Sequence, residues 1–572
     1  MTLYGLGASA GVGIGRIVCV REEPLDYTGA VYAGAQAEKQ RLQQAAVQFC
    51  AQTQAMAARV REQAGESEAA ILDGQVEMLN DPVLRAQIDE AIDAGAVAEA
   101  AVDSVCTMYA GVFDGLDDEL MRQRAADVRD LCARLLGLLL GRAPVDLGAL
   151  PAGTVLAARE LTPSMTVGLD SAHVAAIVTE TGGPASHAAI LARALELPAV
   201  LSVPGLMDAV QDGMAAAVDG GAGEVTLAPD EAAEAVYRAK RAAWLREKDA
   251  LKAYRAGPTL DADGRQVKLY ANIGRPDEAA AAAAAGAEGV GLLRTEFLFM
   301  DRLCAPGEDE QCAAYCRAAQ AFGAREVIVR TLDAGGDKPV DYLHMPKEEN
   351  PFLGHRAIRY CLDEPALFKT QLRALLRAAA RHPGLRIMLP MVTCLDEVRA
   401  ARALLKACAE ELDAEGVPHA ADVPLGVMIE TPSAALIADL LAREADFFSI
   451  GTNDLTQYVM AADRGNAQVQ RLYTPLQPGV LRCIRGVIEA GRAARIPVGM
   501  CGEAAADPRM IPLLLHFGLD EFSVNAASIP ATRRAIAQWD GAKAAQAAEM
   551  ALRCATVDEV ARALDALCAQ NP

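Results

Sequence analysis

Phe447-Phe448-Ser449-Ile450-Gly451-Thr452-Asn453-Asp454 sets the pattern of the second half of the chain: a short apolar run that stops abruptly at polar residues. The arrangement recurs in strand-like segments at Val267–Ile273, Gly289–Leu293, Glu326–Arg330, Arg386–Met391, Leu425–Ile429, Phe447–Ile450, Pro497–Met500 and Glu521–Val524. Helical stretches, including the heptalanine Ala279–Ala285, lie between most of them. Eight strands alternating with helices over about 270 residues predict a (β/α)8 barrel. In that fold the C-terminal rim of the strands carries the active site, and the polar residues fall there: Arg294, Arg330, Glu430, Asn453-Asp454 and Cys501-Gly502-Glu503. Structural ion pairs have no reason to collect at consecutive strand ends, so the rim reads as functional.

The residue types at the rim suit an anion and a hard metal. Arg294, Arg330, Arg356 and Arg464, with Lys338 nearby in sequence, can converge on one phosphate or carboxylate, which guanidinium forks bind bidentately. Any one of them alone would be an ordinary surface or ion-pair residue. Glu430 and Asp454 suit Mg2+, which takes one or two carboxylates and completes its octahedron with phosphate and water; the alternative is charge balance against the arginines. Cys501 lies in Gly499-Met500-Cys501-Gly502-Glu503, where the flanking glycines predict an accessible thiol. The other thirteen of the fourteen cysteines are expected to be buried and inert. No CxxC pair occurs, and Cys312 and Cys316 have no second ligand pair at zinc spacing.

The first half is organised differently. Leu3 to Val20 alternates glycine and apolar residues and predicts one or two strands. Its Gly11-Val12-Gly13-Ile14-Gly15 run lacks the spacing and the following acidic residue of a dinucleotide fingerprint, and is expected to be a glycine-rich turn. From Gln36 to Leu140 apolar residues fall at helical spacing, as in Ile71-Leu72, Val76 and Leu79, and Asn80-Asp81-Pro82 marks a helix start. Short strands follow at Thr154–Ala158, Ala175–Val178, Ala199–Leu201 and Glu224–Leu227, then a charged, alanine-rich helix over Pro229–Ala256. Between the second and third of these strands stands Thr181-Gly182-Gly183-Pro184-Ala185-Ser186-His187-Ala188. The glycine pair and the helix-forming run after it place His187 at a helix N-terminus, where free N–H groups and the helix dipole favour a phosphate on the imidazole. Taken alone, the same placement is met by a histidine that merely caps a helix.

The bulk composition narrows the classes. At 572 residues the chain exceeds one core, and two to four domains are expected. A net charge of -22 argues against nucleic acid and anionic membranes and favours a basic protein partner. No basic n-region with an apolar core opens the chain and no apolar run reaches membrane-spanning length, so a cytoplasmic protein is expected, with no membrane insertion.

Several long motifs resemble one family. Gly182-Gly183 with Ser186-His187-Ala188, Leu195-Glu196-Leu197-Pro198-Ala199, and Gly289-Val290-Gly291-Leu292-Leu293-Arg294-Thr295-Glu296-Phe297-Leu298-Phe299-Met300-Asp301-Arg302 are among them. So are Lys347-Glu348-Glu349-Asn350-Pro351-Phe352-Leu353-Gly354, Phe447 through Tyr458, and Asp463-Arg464-Gly465-Asn466. The chain resembles enzyme I of the bacterial phosphotransferase system, the phosphoenolpyruvate–protein phosphotransferases, from its first strand to near its C-terminus. The resemblance implies an α/β multidomain fold: a swivelling phosphohistidine α/β domain with a helical insertion, followed by the (β/α)8 barrel. Its boundaries would be 1–29 with 144–228 for the phosphohistidine domain, 30–143 for a helical domain that docks the carrier HPr, 229–256 for a linker helix, and 257–572 for the phosphoenolpyruvate-binding and dimerisation barrel.

The resemblance also implies roles. His187 would take the phosphoryl group of phosphoenolpyruvate on Nε2 and pass it to HPr. Arg294, Arg330, Arg464 and Asn453-Asp454 would hold the substrate, Arg356 and Lys338 would complete its basic pocket, and Glu430 and Asp454 would ligate Mg2+. Cys501 would protonate the enolate carbon as pyruvate forms, and the barrel would make a homodimer. One departure stands beside the histidine: Pro184-Ala185 replaces the longer polar or basic residue and threonine common in the family, while Thr162-Pro163-Ser164 matches it and can supply hydroxyls. A phosphoenolpyruvate synthase or pyruvate phosphate dikinase would need an ATP-binding domain, and no P-loop precedes His187. A catalytically silent regulatory relative would be expected to lack His187, Cys501 or a metal carboxylate, and all are present.

Overall fold

The computed structural model describes residues 1–570 except 22–24, 64–65, 115–118, 143–146, 148–149, 163–164, 166–168, 170–171, 184–185, 301, 337–339, 344, 347 and 467. It divides into two compact units, Met1–Lys248 and Asp249–Pro572.

The first unit is built on a mixed sheet of β1 (Thr2–Tyr4), β2 (Leu6–Ser9), β3 (Val12–Val20), β4 (Thr154–Ala158), β5 (Val174–Thr179), β6 (Ala199–Leu201), β7 (Ala215–Asp219) and β8 (Glu224–Leu227). Their order is β1-β8-β7-β3-β4-β5-β6-β2, parallel from β3 to β6 and antiparallel elsewhere. Alternate residues feed two cores. Leu156, Ile177 and Leu201 pack with Ala188, Ala189 and Ala192 on one face. Val155, Val178 and Val200 pack with Leu206 and Val210 on the other. Both faces are covered, which is why the central strands read as nearly continuous apolar runs.

The Gly11–Gly15 run, expected as a turn, instead starts β3, and the N-terminus holds three strands rather than one or two. The glycines are there for space. A Cβ on Gly13 would lie 2.2 Å from the Ala175 carbonyl oxygen, and one on Gly15 would lie 1.9 Å from that of Gly153. Strand glycine here marks close backbone approach, a signal that turn-based reading misassigns.

Between β3 and β4 stand five helices, α1 (Ala35–Gln63), α2 (Glu66–Leu79), α3 (Pro82–Asp93), α4 (Ala98–Asp114) and α5 (Glu119–Leu139). They share a separate core that includes Leu42, Phe49, Leu79, Ile88, Ile92, Val102 and Leu135. The expected helix start is formed: Asp81 Oδ1 accepts from Val83 N at 2.7 Å and Leu84 N at 3.1 Å, with Pro82 in the first turn. A further helix, α6 (His187–Ala194), begins at the histidine. The charged segment after β8 is helical over Glu231–Lys252.

The second unit is a closed parallel barrel of β10 (Gln266–Ile273), β11 (Val290–Leu293), β12 (Val327–Arg330), β13 (Leu385–Leu389), β14 (Leu425–Ile429), β15 (Phe448–Ile450), β16 (Val498–Met500) and β17 (Glu521–Asn525). A short β9 (Thr259–Leu260) pairs antiparallel with the start of β10. Closure follows because β10 bonds both β11 and β17. The eight expected strands are the eight observed. Alternation assigns each strand's two sides: Leu269, Val327, Ile387, Val427, Ile450, Val498 and Phe522 pack outward in the large helix-covered core. Leu292, Ile328, Met388 and Met428 point inward in a smaller cluster. Among the described residues no helix is long and apolar enough to cross a membrane.

Replacing Gly15 by Ala should drive a Cβ into the Gly153 carbonyl and destabilise the first unit by about 1–3 kcal/mol. Gly137→Ala, in α5 with nothing within 4 Å of the new Cβ, should stabilise it by about 0.5–1 kcal/mol. Calorimetric unfolding of the two variants checks the pair; equal shifts of the same sign would contradict it.

Candidate functional site

Barrel closure brings most of the sequence-predicted residues to one rim. Arg330 ends β12 and points inward, 5% exposed. Its Nη2 pairs with Glu296 and lies 3.1 Å from Asp333 Oδ2, while Nη1 reaches Met428 Sδ at 3.7 Å. Arg356 is 1% exposed and donates from Nη2 to Asp333 Oδ1 at 2.7 Å. Burial opposes the charge on both guanidinium groups. The facing carboxylates outweigh it and raise both pKa values: Glu296, Asp333 and Glu430 around Arg330, Asp333 and Asp454 around Arg356. Gly335 permits the approach of Arg356; it holds φ +105°, and a Cβ there would lie 2.7 Å from Arg356 Cβ.

These cations are buried with donors to spare. Among the described residues Arg330 Nε and Arg356 Nε and Nη1 have no hydrogen-bond partner. A buried donor left unsatisfied costs about 1–3 kcal/mol, so three of them beside one another describe a site awaiting an acceptor-rich ligand.

Glu430 follows β14, and its Oε1 accepts from Met391 N at 2.6 Å. Gly451 makes room for it, since a Cβ there would lie 2.9 Å from Glu430 Oε2. Burial, then the carboxylates of Asp454 and Asp333, push the Glu430 carboxyl up to about 8, with Arg330 pulling the other way. Asp454 sits in the first turn of helix Thr452–Met460, and its buried Oδ1 accepts no hydrogen bond among the described residues. Arg464 Nη1 lies 3.6 Å from that oxygen. Phe352 lies under two guanidinium groups, Arg356 at 5.9 Å and Arg464 at 5.8 Å from its ring centre. Asn453 Oδ1 accepts from Glu503 N at 3.2 Å, tying the ends of two strands together.

Cys501 departs from expectation. It directly follows β16, but it is 6% exposed rather than accessible, packed against Leu292, Ile328, Met388, Met428 and Phe447. Sequence position at the rim was the right signal; the flanking glycines were not, because Gly499 and Gly502 fill tight backbone space. A Cβ on Gly502 would lie 1.8 Å from Thr452 Oγ1. Burial pushes the thiol up to about 11, Glu430 and Glu521 adding to it while the Ser449 hydroxyl and Arg330 lower it. It is therefore held as a thiol at neutral pH, the form able to donate a proton. The other cysteines are free but not uniformly buried: Cys304 and Cys394 are exposed.

Arg294 stands apart from this cluster. It is exposed at the end of β11, and its guanidinium bonds none of the described residues, although its N–H donates to the Ile273 carbonyl at 3.0 Å. Lys338 lies outside the described residues, as do Pro163-Ser164 and Pro184-Ala185. His187 belongs to the first unit and opens α6; Gly182 takes φ +111° in the preceding turn, and Ser186 Oγ accepts from Ala189 N at 3.4 Å. Sequence reading missed Glu296 and Asp333, the carboxylates that hold the two buried arginines. Asp333 could have been found from Thr331-Leu332-Asp333-Ala334-Gly335-Gly336, a charged residue in a glycine-ended stretch just after a strand.

Descriptions of one family match successive stretches of the chain. They are PEP-utilising enzyme, N-terminal, over residues 4–124; mobile domain over 150–223; and PEP-binding domain over 248–541. The chain is 42% identical over 563 residues to the phosphoenolpyruvate-protein phosphotransferase of Enterococcus faecalis, covering 98% of each. It is 47% identical over 511 residues to that of Haloferax volcanii, covering 88% of each. Among solved structures, the NMR solution structure of Enzyme I (nEIt) is 30% identical and spans 42% of this chain and 99% of its own, with a TM-score of 0.37.

Alkylation tests the burial of the thiol. Iodoacetamide at pH 7.5 should modify Cys304 and Cys394 first and Cys501 at least about tenfold more slowly, with the Cys501 rate climbing as pH rises toward about 11. Peptide mass spectrometry reads the three sites; early modification of Cys501 would refute the assignment.

Proposed function

The chain belongs to the phosphoenolpyruvate–protein phosphotransferases of the PEP-utilising enzymes, and on that premise we propose how its own residues act. The phosphoryl group passes from phosphoenolpyruvate to Nε2 of His187, and from there to a histidine of the carrier HPr, releasing pyruvate. The observation that carries this reading is the set of buried, unsatisfied guanidinium donors on Arg330 and Arg356, facing an acidic pair beside a protonated thiol.

Phosphoryl transfer passes through a loose transition state, so the protein's task is to place the groups and to neutralise spreading charge. Arg330 and Arg356, braced by Glu296 and Asp333, present fixed N–H donors to the substrate anion without reorganising when it arrives. Arg464 and Asn453 flank the same rim, and the Arg294 guanidinium, which bonds none of the described residues, can close on the phosphate. Lys338 is assigned to the same pocket on resemblance. His187 receives the phosphoryl group at the start of α6, where the N–H groups of the first turn and the helix dipole stabilise the added charge.

Glu430 and Asp454 fit a divalent cation. Among the described residues nothing donates to Asp454 Oδ1, and the crowding that raises the Glu430 carboxyl is the kind that a cation relieves. Mg2+ held by this pair would neutralise phosphate and enolate charge. Loss of the phosphoryl group leaves an enolate whose methylene carbon needs a proton, and the Cys501 S–H supplies it. The five-helix insertion, α1 to α5, is the assigned dock for HPr, and the barrel the assigned homodimer surface. Such a protein works in the cytoplasm.

Labelled phosphoenolpyruvate with Mg2+ should place one phosphoryl group on His187. His187→Ala should abolish the label and chelation of the metal should reduce it at least about a hundredfold; undiminished labelling of the variant, read by acid-labile phosphohistidine, would overturn the assignment. Cys501→Ala should cut pyruvate formation by about 10²-fold or more while phosphoenolpyruvate affinity changes little. Equal losses in kcat and in substrate binding would make the thiol structural instead.

A further inference from the structure

The barrel interior has two unlike halves. In the middle layer the inward residues of the arc from β11 to β14, with Phe447, form the apolar cluster around Cys501, between Arg330 at the rim and Glu326 and Arg386 at the opposite mouth. On the arc from β15 through β16 and β17 to β10 the outward positions belong to Phe448, Ile450, Val498, Met500, Phe522, Val524, Leu269 and Ala271. The inward ones are then Ser449, Gly499, Glu521, Ser523, Tyr270 and Asn272. None of these is used by the rim mechanism.

Strand register lines up part of this arc. Ser449 pairs with Gly499, and Gly499 with Glu521, so that no side chain separates the hydroxyl from the carboxyl. A Cβ on Gly499 would lie 3.1 Å from Glu521 Cδ, and one on Gly291 would lie 2.3 Å from Glu521 Oε1. Two glycines thus make room for one carboxyl. Glu521 is 7% exposed, and its Oε1 has no hydrogen-bond partner among the described residues. At one end of the line the Ser449 hydroxyl lowers the Cys501 pKa; in the resting structure Cys501 Sγ donates to the Ile450 carbonyl at 3.8 Å, and among the described residues neither the Ser449 hydroxyl nor Glu521 Oε1 has a hydrogen bond, so both are open to the transfer.

The other end reaches water. Lys268 pairs in register with Glu521, and Tyr270 with Ser523. Glu326 accepts from Lys268 Nζ at 2.8 Å, Tyr270 Oη at 2.7 Å and Arg386 Nη2 at 2.5 Å. The Lys268 side chain is 41% exposed. This charged group marks the N-terminal mouth of the barrel, opposite the rim. Burial, with Glu326 adding, pushes the Glu521 carboxyl up to about 8 against the pull of Lys268 and Arg386, so it carries a proton at neutral pH.

We propose that Glu521 reloads the Cys501 thiol between turnovers, through Ser449, with protons drawn from the N-terminal mouth of the barrel. The inference rests on the reading of Cys501 as the proton donor to the enolate. In each turnover the Cys501 S–H bond breaks as the methylene carbon gains its C–H bond. The thiolate then takes the Ser449 hydroxyl proton while that oxygen takes the proton of the Glu521 carboxyl. The carboxylate is reprotonated from water at the mouth beside Tyr270 and Glu326. One solvent proton ends on pyruvate, and every protein group returns to its starting state. The thiol is 6% exposed and packed in an apolar cluster, which slows its direct recovery from solvent. Glu521 touches no substrate in this scheme and acts through Cys501 as a positioning residue for the proton.

The test is rapid-quench measurement of pyruvate from the full-length protein with phosphoenolpyruvate, Mg2+ and purified HPr. Glu521→Gln fills the same space but has no proton to release. It should give a first-turnover burst of wild-type rate and amplitude, followed by a steady-state rate at least about tenfold lower with KM unchanged. Iodoacetamide added after the burst should trap Cys501 as the accumulated thiolate in this variant and not in wild type. Ser449→Ala should behave alike, and Ser449→Thr, which keeps the hydroxyl, should restore turnover. A burst slowed as much as the steady state, or both phases at wild-type rates, overturns the relay. Should Glu521→Gln fail to fold by calorimetry, the Ser449 pair decides. A full burst in Cys501→Ala overturns the donor reading itself, whereas loss of that burst with normal turnover in Glu521→Gln overturns the relay alone.

Discussion

The rim depends on one buried carboxylate. Asp333 is wholly buried between two guanidinium groups, and through it Arg330 and Arg356 are fixed in a space that would otherwise expel both. Ion pairs at this depth do not arise for stability alone, since desolvation offsets much of the attraction, and apolar residues of similar size would pack as well. What they provide is position: donors that face the site and cannot swing away. The bracing is incomplete, leaving Nε and Nη1 of Arg356 and Nε of Arg330 without acceptors among the described residues. The large apolar core around the barrel, from Leu269 and Val327 to Phe522, offsets that cost.

The same constraint shapes the acidic side. Glu430 and Asp454 stand with Asp333 in a region where like charges repel, and the Glu430 carboxyl responds by holding its proton. A cation reverses this, so metal, substrate anion and arginines form a mutually dependent set in which each member lowers the cost of burying the others. Phe352 contributes an apolar, half-buried surface, with the Arg356 and Arg464 guanidinium groups over one ring. Electrostatic attraction is stronger there than at an open surface.

Much of this was legible in the sequence because a barrel obeys a simple rule. Strands buried on both sides are short apolar runs, and the polar residue that ends each run marks the rim; Arg330, Glu430, Asp454 and Cys501 were all found that way. Features that depend on packing rather than order were not. Whether Cys501 is exposed depends on Met388, Met428 and Phe447, which come from other strands. Gly13 and Gly15 look like turn residues until the Ala175 and Gly153 carbonyls are seen against them. Glu296 is hidden by its setting in Thr295-Glu296-Phe297, where nothing in the order of residues shows that it will meet Arg330.

The division of the barrel interior follows from the chemistry at its top. A thiol that must stay protonated needs an apolar neighbour, which Leu292, Ile328, Met388 and Met428 provide. An interior apolar all round would isolate that thiol from any proton source once it had reacted. The polar arc from Glu521 to Ser449 removes the conflict by placing hydroxyl and carboxyl on one side only, at positions where Gly291 and Gly499 leave room. A fully apolar barrel would be more stable, because buried groups such as Glu521 Oε1 and Ser449 Oγ would not be left unsatisfied. Ser449 and Glu521 stand on the strands adjoining Cys501, which ties their cost to the residue they serve.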